Sequence, residues 1–300
     1  MDVISIRDFD KKWIESILSS AKRMENKRLD EHSGKIVATL FFEPSTRTNM
    51  SFQSAANRLG ARAIALYGEM SSQKKGESLV DTISVVSGYA DALIIRHPLE
   101  GSARLAADIS KVPVVNAGDG GNQHPTQTLI DLYTIQKLKG RLSGLKVCLL
   151  GDLKYARAMR SLLYGLSMFG AETKLIAPKG LEMNRNIIKE SKEKFDAKIE
   201  ESGKMDFSGC DVLYICRIQK ERFADPYEAE KLQKEFRVDE KLLENTKDDL
   251  AILHPLPKID EISNAVSRLK QAKYFEQAHN GIPVRMAVLD AVLSDEHSEG

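Results

Sequence analysis

Several features that mark whole classes of protein are scarce or missing in this sequence. No apolar run approaches the ~20 residues that cross a bilayer, and the N-terminus has no basic, apolar signal region. The 44 Lys and Arg residues balance 43 Asp and Glu residues, whereas a nucleic-acid surface needs a basic excess. We therefore expect a cytoplasmic protein that binds neither nucleic acids nor membranes.

Cysteine is also scarce. Three cysteines, Cys148, Cys210 and Cys216, occur in 300 residues, and each lies in or beside an apolar strand pattern. Cysteines in such positions usually behave as small buried hydrophobes. We expect inert core thiols rather than disulfide bonds or metal ligands.

The fingerprints of several common enzyme sites are absent as well. The sequence contains no G-x-G-x-x-G, G-x-x-x-x-G-K-[ST], H-E-x-x-H, paired C-x-x-C or G-x-S-x-G pattern. These patterns hold dinucleotides, nucleoside triphosphates, zinc ions or a nucleophilic serine. We therefore expect no cofactor and no metal held by the protein.

The most informative segment that is present is the turn Phe42–Thr48. It follows a strand-length apolar run and precedes a helical apolar pattern that Gly60 ends. The turn carries three hydroxyl groups and a guanidinium, those of Ser45, Thr46, Thr48 and Arg47. A helix N-terminus has unpaired N–H groups and a partial positive charge, and a simple cap needs one hydroxyl. We interpret this turn as a binding site for a phosphate group.

Strand and helix patterns alternate along the chain, which indicates βαβ units with parallel sheets. Strand patterns occur at Ile36–Phe42, Ala61–Leu66, Ala92–Ile95, Val112–Val115, Leu145–Asp152, Lys174–Pro178, Asp211–Arg217 and Leu250–Pro257. Helical patterns occur at Asn49–Leu59, Glu77–Tyr89, Ser102–Ser110, Pro125–Lys139 and Pro283–Leu293. Met183–Lys204 indicates a charged, solvated helix with its surroundings. We predict an α/β fold with two similar-sized domains, each a parallel sheet flanked by helices, joined by interdomain helices.

Ligands of parallel sheets bind beyond the carboxyl ends of the strands, so the residues after each strand are the candidate site. In the first half these are the turn Phe42–Thr48, then Arg96-His97-Pro98, then a glycine-rich turn that leads to His124 and Gln127. In the second half they are Gly151–Lys154 with Arg157, then Arg217–Gln219, then His254–Pro257. Arginine occurs at four of these six places, and it binds carboxylates and phosphates through paired N–H groups. We expect anionic substrates of both kinds, with His97 and His254 in structural roles.

Six segments, in this order, resemble the catalytic chains of aspartate carbamoyltransferases: EPSTRT, RHP, GDGGNQHPTQTLIDLYTI, GDLKYAR, RIQKER and HPLP. The resemblance spans roughly residues 40–290 and identifies the chain as a member of the aspartate/ornithine carbamoyltransferase family. HPTQ and HPLP stand where ornithine enzymes typically have cysteine-containing segments, which favours aspartate as the second substrate. The resemblance implies transfer of the carbamoyl group of carbamoyl phosphate to L-aspartate, an early committed step of pyrimidine biosynthesis.

The resemblance also implies a role for each matching residue. Carbamoyl phosphate would contact Ser45, Thr46, Arg47, Thr48, Arg96, His124, Gln127, Leu256 and Pro257. Catalysis would fall within this set to Arg47, Thr48, Arg96 and His124. Aspartate would contact Lys75, Arg157, Arg217 and Gln219. The Leu256 and Pro257 carbonyl groups would orient amino groups.

Assembly is implied in the same way. The resemblance implies a homotrimer with shared active sites, in which the loop of Ser71 and Lys75 reaches the neighbouring subunit's site. It also implies that the last helix, which carries Arg285, crosses back to the first domain. The predicted domains are therefore a carbamoyl-phosphate-binding domain of residues 1–135 plus 284–300 and an aspartate-binding domain of residues 136–283. The sequence does not tell whether a separate regulatory chain is a further partner.

The chain departs from the family pattern at one substrate position. It has Ala156-Arg157-Ala158 where the family usually has Gly-Arg-Thr, so Ala158 lacks a hydroxyl that could bind an aspartate carboxylate. Since such a hydrogen bond contributes about 1–3 kcal/mol, we expect weaker aspartate binding.

Two other functions stay open at this point. One is carbamoyl transfer to another amine, such as ornithine, although a cationic acceptor would favour acidic residues where this chain has Arg157 and Arg217. The other is an anion-binding or regulatory protein that kept the fold and lost catalysis.

Overall fold

The chain folds as two units in a computed structural model that describes residues 1–68, 76–220, 223 and 225–294. One unit comprises Met1–Ile130 with Asn280–Gly300, and the other comprises Asp131–His279. The fold class predicted from the sequence, two α/β domains each with a parallel sheet flanked by helices, is confirmed. The domain boundaries given above stay a prediction.

The first unit is built on a four-stranded sheet. Its strands are β1 (Ile36–Phe41), β2 (Arg62–Tyr67), β3 (Ala92–His97) and β4 (Val114–Asp119). Its helices include α1 (Lys11–Met24), α2 (Thr46–Arg58), α3 (Leu79–Val86) and α4 (Ser102–Ile109). All strand pairs are parallel, in the order β2-β1-β3-β4. Alternate apolar residues of β1 and β3 pack on one face against α3 and α4, because successive strand residues point to opposite faces.

The second unit is built on a five-stranded parallel sheet. Its strands are β5 (Lys146–Gly151), β6 (Glu172–Ile176), β7 (Ile199–Ser202), β8 (Val212–Cys216) and β9 (Ala251–Leu253). Its helices after α5 (Pro125–Lys139) are α6 (Arg157–Met168), α7 (Arg185–Phe195) and α8 (Pro226–Glu235). The strand order is β7-β6-β5-β8-β9, with all pairs parallel.

Two helices contain the points at which the units divide. The first is α5, which matches its predicted bounds, and the second is α9 (Tyr274–Ser294), which is longer than the predicted Pro283–Leu293. Residues from Asn280 onward belong to the first unit, as the family resemblance implies. No helix among the described residues is long and apolar enough to cross a membrane.

Some strands extend or occur where local patterns do not predict them. β4 runs through Asp119 instead of ending at Val115, because its buried polar residues are hydrogen-bonded: Asn116 Nδ2 lies 2.8 Å from Asp119 Oδ1. Strand β7 lies within the stretch that we expected to be a charged helix with its surroundings. Only Arg185–Phe195 of that stretch is helical, and Ile199–Ser202 pairs with β6 at the sheet edge.

The expectation of three core thiols is wrong for two of the cysteines. Cys148 and Cys210 form a disulfide bond, and Cys216 is a buried free thiol. Cys148 lies on β5, and Cys210 directly precedes the neighbouring strand β8, so both side chains enter one apolar cluster. Their Cα atoms lie 6.4 Å apart, a separation that a disulfide bond spans. Strand pairing, which residue spacing does not encode, brings the two together.

Candidate active site

The predicted phosphate site lies at the N-terminus of α2. Ser45 is the N-cap residue, yet its side chain makes no capping hydrogen bond, which argues against the simple cap interpretation. Thr46 and Arg47 are exposed, and Thr48 is 8% exposed. Desolvation lowers the pKa of the Arg47 guanidinium, but arginine stays cationic at neutral pH. The turn therefore presents hydroxyl groups and one cation beside the first-turn N–H groups.

Arg96 lies beside this turn because of the strand order. In the strand order β2-β1-β3-β4, the two strands that follow β1 in the chain lie on opposite sides of it, β2 on one side and β3 on the other. The carboxyl ends of β1 and β3 therefore form the switch point, the place at which parallel sheets bind ligands. Arg96 is paired with Phe41, and its carbonyl accepts a hydrogen bond of 2.8 Å from the N–H of Phe42. The structure thus brings Arg96 to the start of the Phe42–Thr48 turn.

Glu43, a residue of this turn to which the sequence assigned no role, holds the Arg96 side chain. Its Oε1 lies 2.7 Å from Arg96 Nε, and Arg96 Nη1 donates to the Ala117 carbonyl at 3.4 Å. The sequence does contain a signal for the contact of Glu43 with Arg96, because a carboxylate stands within a turn that is otherwise suited to an anion. A negative charge at such a place is explained by the arginine that it orients.

The turn that carries His124 and Gln127 follows the next strand, β4. Asp119 organises this turn: its Oδ1 accepts from Gln123 N at 3.1 Å, and its Oδ2 accepts from Asn122 Nδ2 at 3.0 Å. His124 is buried directly before α5, and its carbonyl accepts from the N–H of Gln127 at 3.0 Å. Since β3 and β4 are neighbouring parallel strands, the turn that carries both residues follows the carboxyl end of the sheet, where Arg96 also lies.

His97 has the structural role that we expected. Its Nδ1 accepts a hydrogen bond from the N–H of Leu99 at 3.1 Å, and its ring packs edge-on against Phe42. Desolvation lowers the pKa of His97, against the opposing charge of Glu43. The neutral ring braces the loop after β3.

In the second unit, the corresponding switch point lies between β5 and β8. The two strand ends approach so closely that a Cβ added to Gly151 would lie 2.0 Å from the Cys216 carbonyl oxygen. Gly151 also has a φ of +119°, which side chains disfavour. Glycine at this position therefore allows the loops after β5 and β8 to lie together.

These two loops carry the residues predicted to bind carboxylates. Arg157 is the first residue of α6, Arg217 and Gln219 directly follow β8, and all three are half-buried. Helix α6 has no side-chain cap, since its N-cap residue is Ala156. Ala158 is buried, and the expected weakening of aspartate binding stays a prediction.

Asp152, fully buried at the end of β5, connects the two loops. Its Oδ1 accepts from the N–H of Tyr155 at 2.8 Å, and its Oδ2 accepts from the N–H of Gln219 at 3.4 Å. Burial raises the pKa of the Asp152 carboxyl, while backbone N–H groups and the charge of Arg160 act in the opposite direction. One buried carboxylate thus fixes the relative position of both loops.

A buried chain of hydrogen bonds holds the loop after β9. The N–H of His254 donates to Gln277 Oε1 at 2.9 Å, and His254 Nδ1 accepts from the N–H of Leu256 at 2.8 Å. His254 Nε2 lies 2.7 Å from Glu261 Oε1. These contacts agree with the structural role predicted for His254, and the Leu256–Pro257 peptide bond that follows is cis.

Three other residues were named from the sequence. Ser71 and Lys75 lie outside the described residues. Arg285 is 4% exposed on α9, where its guanidinium lies 4.8 Å from the centroid of the Phe52 ring on α2. Its contact is with the helix at whose N-terminus the phosphate site is predicted, in the same unit.

Two models of known protein families match the chain, one in each half. Residues 1–137 match the family model "Aspartate/ornithine carbamoyltransferase, carbamoyl-P binding domain". Residues 143–292 match "Aspartate/ornithine carbamoyltransferase, Asp/Orn binding domain". The chain belongs to the aspartate/ornithine carbamoyltransferase family. The family resemblance inferred from the motifs is thereby confirmed.

Relatives within this family match nearly the whole chain. The Methanopyrus kandleri protein named aspartate carbamoyltransferase catalytic subunit is 52% identical, with 97% of each chain covered. The solved catalytic subunit of M. jannaschii aspartate transcarbamoylase has a TM-score of 0.91, 48% identity and 99% coverage of each chain. The Trypanosoma cruzi enzyme, solved with carbamoyl phosphate and aspartate, has a TM-score of 0.92 and 33% identity, covering 97% of this chain and 96% of that chain.

Proposed function

We propose that this protein transfers the carbamoyl group of carbamoyl phosphate to the amine of L-aspartate, which yields N-carbamoyl-L-aspartate and phosphate. The observation that carries the proposal is a pair of arginines at each switch point, Arg47 with Arg96 in one unit and Arg157 with Arg217 in the other. Each pair suits one anionic substrate, a phosphate in the first unit and a dicarboxylate in the second. The product is an early intermediate of pyrimidine biosynthesis.

The first unit binds carbamoyl phosphate in this proposal. Ser45, Thr46, Arg47 and Thr48 hold its phosphate with the first-turn N–H groups of α2. Arg96, His124 and Thr48 surround the carbamoyl oxygen, and Gln127 binds the amide nitrogen. The support is their common location at the carboxyl edge of β1, β3 and β4.

The second unit binds aspartate. Arg157, Arg217 and Gln219 hold the two carboxylates, and the Leu256 and Pro257 carbonyl groups orient the amino groups. Lys75, with Ser71, completes the site from a neighbouring subunit. The support within the second unit is the buried hydrogen bonding that fixes each of its three loops.

The reaction needs positioning and charge stabilisation more than an activated protein nucleophile, because the attacking amine belongs to the substrate. The amine nitrogen bonds to the carbamoyl carbon, the carbon–oxygen bond to the phosphate breaks, and its electron pair leaves with the phosphate. The departing phosphate accepts the proton that the amine loses. Arg47, Arg96 and Thr48 stabilise the charge that develops on the oxygens, and a neutral His124 donates a hydrogen bond to the carbamoyl oxygen.

A homotrimer is part of the proposal. Strand β2 is an edge strand, and together with α3 and the turn after it, β2 presents apolar side chains that are between 41% and 63% exposed: Ile64, Tyr67, Val80, Val85 and Tyr89. An exposed apolar edge of this kind favours contact with another protein surface, and we infer that a second copy of the chain covers it. The loop of Ser71 and Lys75 follows β2 in the sequence.

The direct test measures phosphate release from carbamoyl phosphate with L-aspartate or L-ornithine as the acceptor. We expect release with aspartate and a kcat/KM at least about 100-fold lower with ornithine, because a cationic side chain would meet Arg157 and Arg217. A blank without an acceptor corrects for spontaneous decomposition. Binding without aspartate-dependent release would contradict the proposal, and preference for ornithine would contradict the choice of acceptor.

The same preparation tests the assembly by sedimentation velocity. We expect a species of three chains at the enzyme concentrations of the assay, and a monomer would exclude a shared site. The cytoplasmic location expected from the sequence composition and the N-terminus belongs to this proposal as well. The relatives are named catalytic subunits, which is consistent with a further regulatory chain. Sedimentation velocity would detect such a chain only if it were added to the sample.

Glu43 gives a prediction of its own. Replacing Glu43 by Gln keeps an acceptor for Arg96 Nε and removes a negative charge next to a phosphate site. We expect tighter binding of inorganic phosphate, by a few-fold, together with a kcat about tenfold lower, because Arg96 is oriented less firmly. Calorimetry with phosphate and steady-state assays measure the two effects.

The exposed Glu31, in the same unit, provides the control. Glu31→Gln removes the same charge without touching Arg96, and both quantities should stay within twofold of the unmodified protein. Weaker phosphate binding in Glu43→Gln would show that the carboxylate assists the anion site instead of opposing it.

A further inference from the structure

Arg160 is a cationic residue close to the acceptor loops to which neither the sequence nor the proposed mechanism gives a role. It lies in the first turn of α6, three positions after Arg157, and its Nη2 donates to the Lys154 carbonyl. Side chains of a helix lean toward its N-terminus, so Arg160 reaches back over the loop that precedes its own helix. That loop, residues 152–156, joins β5 to Arg157.

The charge of Arg160 also acts on the buried carboxylate that ties this loop to its neighbour. Asp152 binds the N–H of Tyr155 in the first loop and that of Gln219 in the second. A fully buried carboxylate stays ionised only with compensating charge or hydrogen bonds. Arg160 provides charge of the right sign, opposing the effect of burial on the pKa of Asp152.

The contact of Arg160 with Lys154 and the effect of its charge on Asp152 therefore act on the same structure. One holds the loop backbone at Lys154, and the other favours the ionised Asp152 that binds the backbone of Tyr155 and Gln219. Arg157 follows the first loop directly, and Arg217 and Gln219 are part of the second. A change at Arg160 would be transmitted to all three acceptor-binding side chains through the backbone that carries them.

We propose that Arg160 is a positioning residue for the acceptor amino acid: it locks the loops after β5 and β8 so that Arg157, Arg217 and Gln219 present a fixed arrangement to a dicarboxylate. The inference rests on the proposed function, since it assigns the acceptor to these loops. Arg160 itself takes no part in bond formation or in the binding of the phosphate group.

Two substitutions separate the charge from the side chain. Arg160→Met removes both the charge and the donor while keeping an unbranched side chain, and Arg160→Lys keeps a cation that can still donate to the Lys154 carbonyl. We expect Arg160→Met to raise KM for L-aspartate about tenfold, the effect of one charge-assisted hydrogen bond. Arg160→Lys should restore KM to within threefold of the unmodified protein.

The affinity for inorganic phosphate separates the proposed role of Arg160 from general damage to the protein. General damage would weaken phosphate binding, whereas the loss of a positioning residue for the acceptor would leave it unchanged. The dissociation constant of phosphate, measured by calorimetry on the full chain, should stay within twofold in both variants, because the phosphate site belongs to the other unit. Lys189→Met is the matched control, since it removes one cation from an exposed position on α7 of the same unit. It should leave KM for aspartate unchanged.

Several outcomes would overturn the inference. They are an Arg160→Met enzyme whose KM for aspartate stays within twofold, a phosphate affinity that falls by the same factor as the aspartate affinity, and an Arg160→Lys enzyme as impaired as Arg160→Met. If Arg160→Met does not fold, Arg160→Gln replaces it under the same criteria. An unmodified protein without aspartate-dependent phosphate release would instead refute the proposed function, so the two failures are distinguishable.

Discussion

Replacing Arg47 by alanine is expected to lower kcat by about 10³-fold or more, because it removes the one cation that the Phe42–Thr48 turn supplies to the phosphate. In the proposed reaction, negative charge on the phosphate increases as the carbon–oxygen bond breaks. A guanidinium beside that oxygen stabilises the transition state more than the bound substrate. The loss should therefore appear mainly in kcat, measured by phosphate release at saturating substrates.

Two further variants make this result specific. Arg47→Lys keeps the charge without the paired N–H groups, so its kcat should lie between those of the unmodified and alanine enzymes. Arg58→Ala removes a cation from the opposite end of the same helix and should retain kcat within twofold. An Arg47→Ala enzyme that kept near-normal turnover would refute the assignment of the phosphate site.

Replacing Gly151 by alanine is expected to destabilise the protein by more than about 4 kcal/mol, well beyond the usual range for a single substitution. The new Cβ would lie 2.0 Å from the Cys216 carbonyl oxygen, where ordinary contacts exceed 3.4 Å, so β5 and β8 would have to separate. The φ of +119° adds strain of about 1–3 kcal/mol. Urea unfolding followed by circular dichroism measures the change in the free energy of unfolding.

Gly209 distinguishes the clash from the backbone strain. It lies in the same unit with a φ of +74°, and nothing lies within 4 Å of the position of an added Cβ. Gly209→Ala should cost only the conformational strain, about 1–2 kcal/mol. Equal destabilisation by the two substitutions would mean that the approach of Gly151 to Cys216 is unimportant. A folded Gly151→Ala enzyme should bind aspartate poorly, because the separated strands carry Asp152 and Arg217.

The alternation of apolar runs was enough to predict the fold class, since burial in a parallel sheet leaves a continuous apolar pattern in each strand. The phosphate site that we predict at the Phe42–Thr48 turn rests on equally local features. Its hydroxyl groups, its arginine and the following helix are consecutive in the chain, and a helix N-terminus attracts anions wherever it occurs. The helix Pro125–Lys139 was also predicted to the residue.

Other elements could not be predicted because distant residues support them. The first part of α9 is polar in sequence, and its buried Gln277 bonds both Asp131 and the N–H of His254. Strand β7 forms in a charged stretch because β6 offers an unpaired edge. The Cys148–Cys210 bond likewise joins residues 62 positions apart.

The sequence by itself determined the chemistry that we predict for this protein: which segments are expected to meet anions, and which side chains are expected to do so. The tertiary structure alone decided how those side chains are held. The contact of Glu43 with Arg96, the link of Asp152 between two loops and the reach of Arg160 back to Lys154 are all geometric facts. The physical reason is the separation along the chain of the residues that interact. A local pattern records the burial and charge of each residue, whereas these contacts depend on strand order and on how closely two strand ends approach.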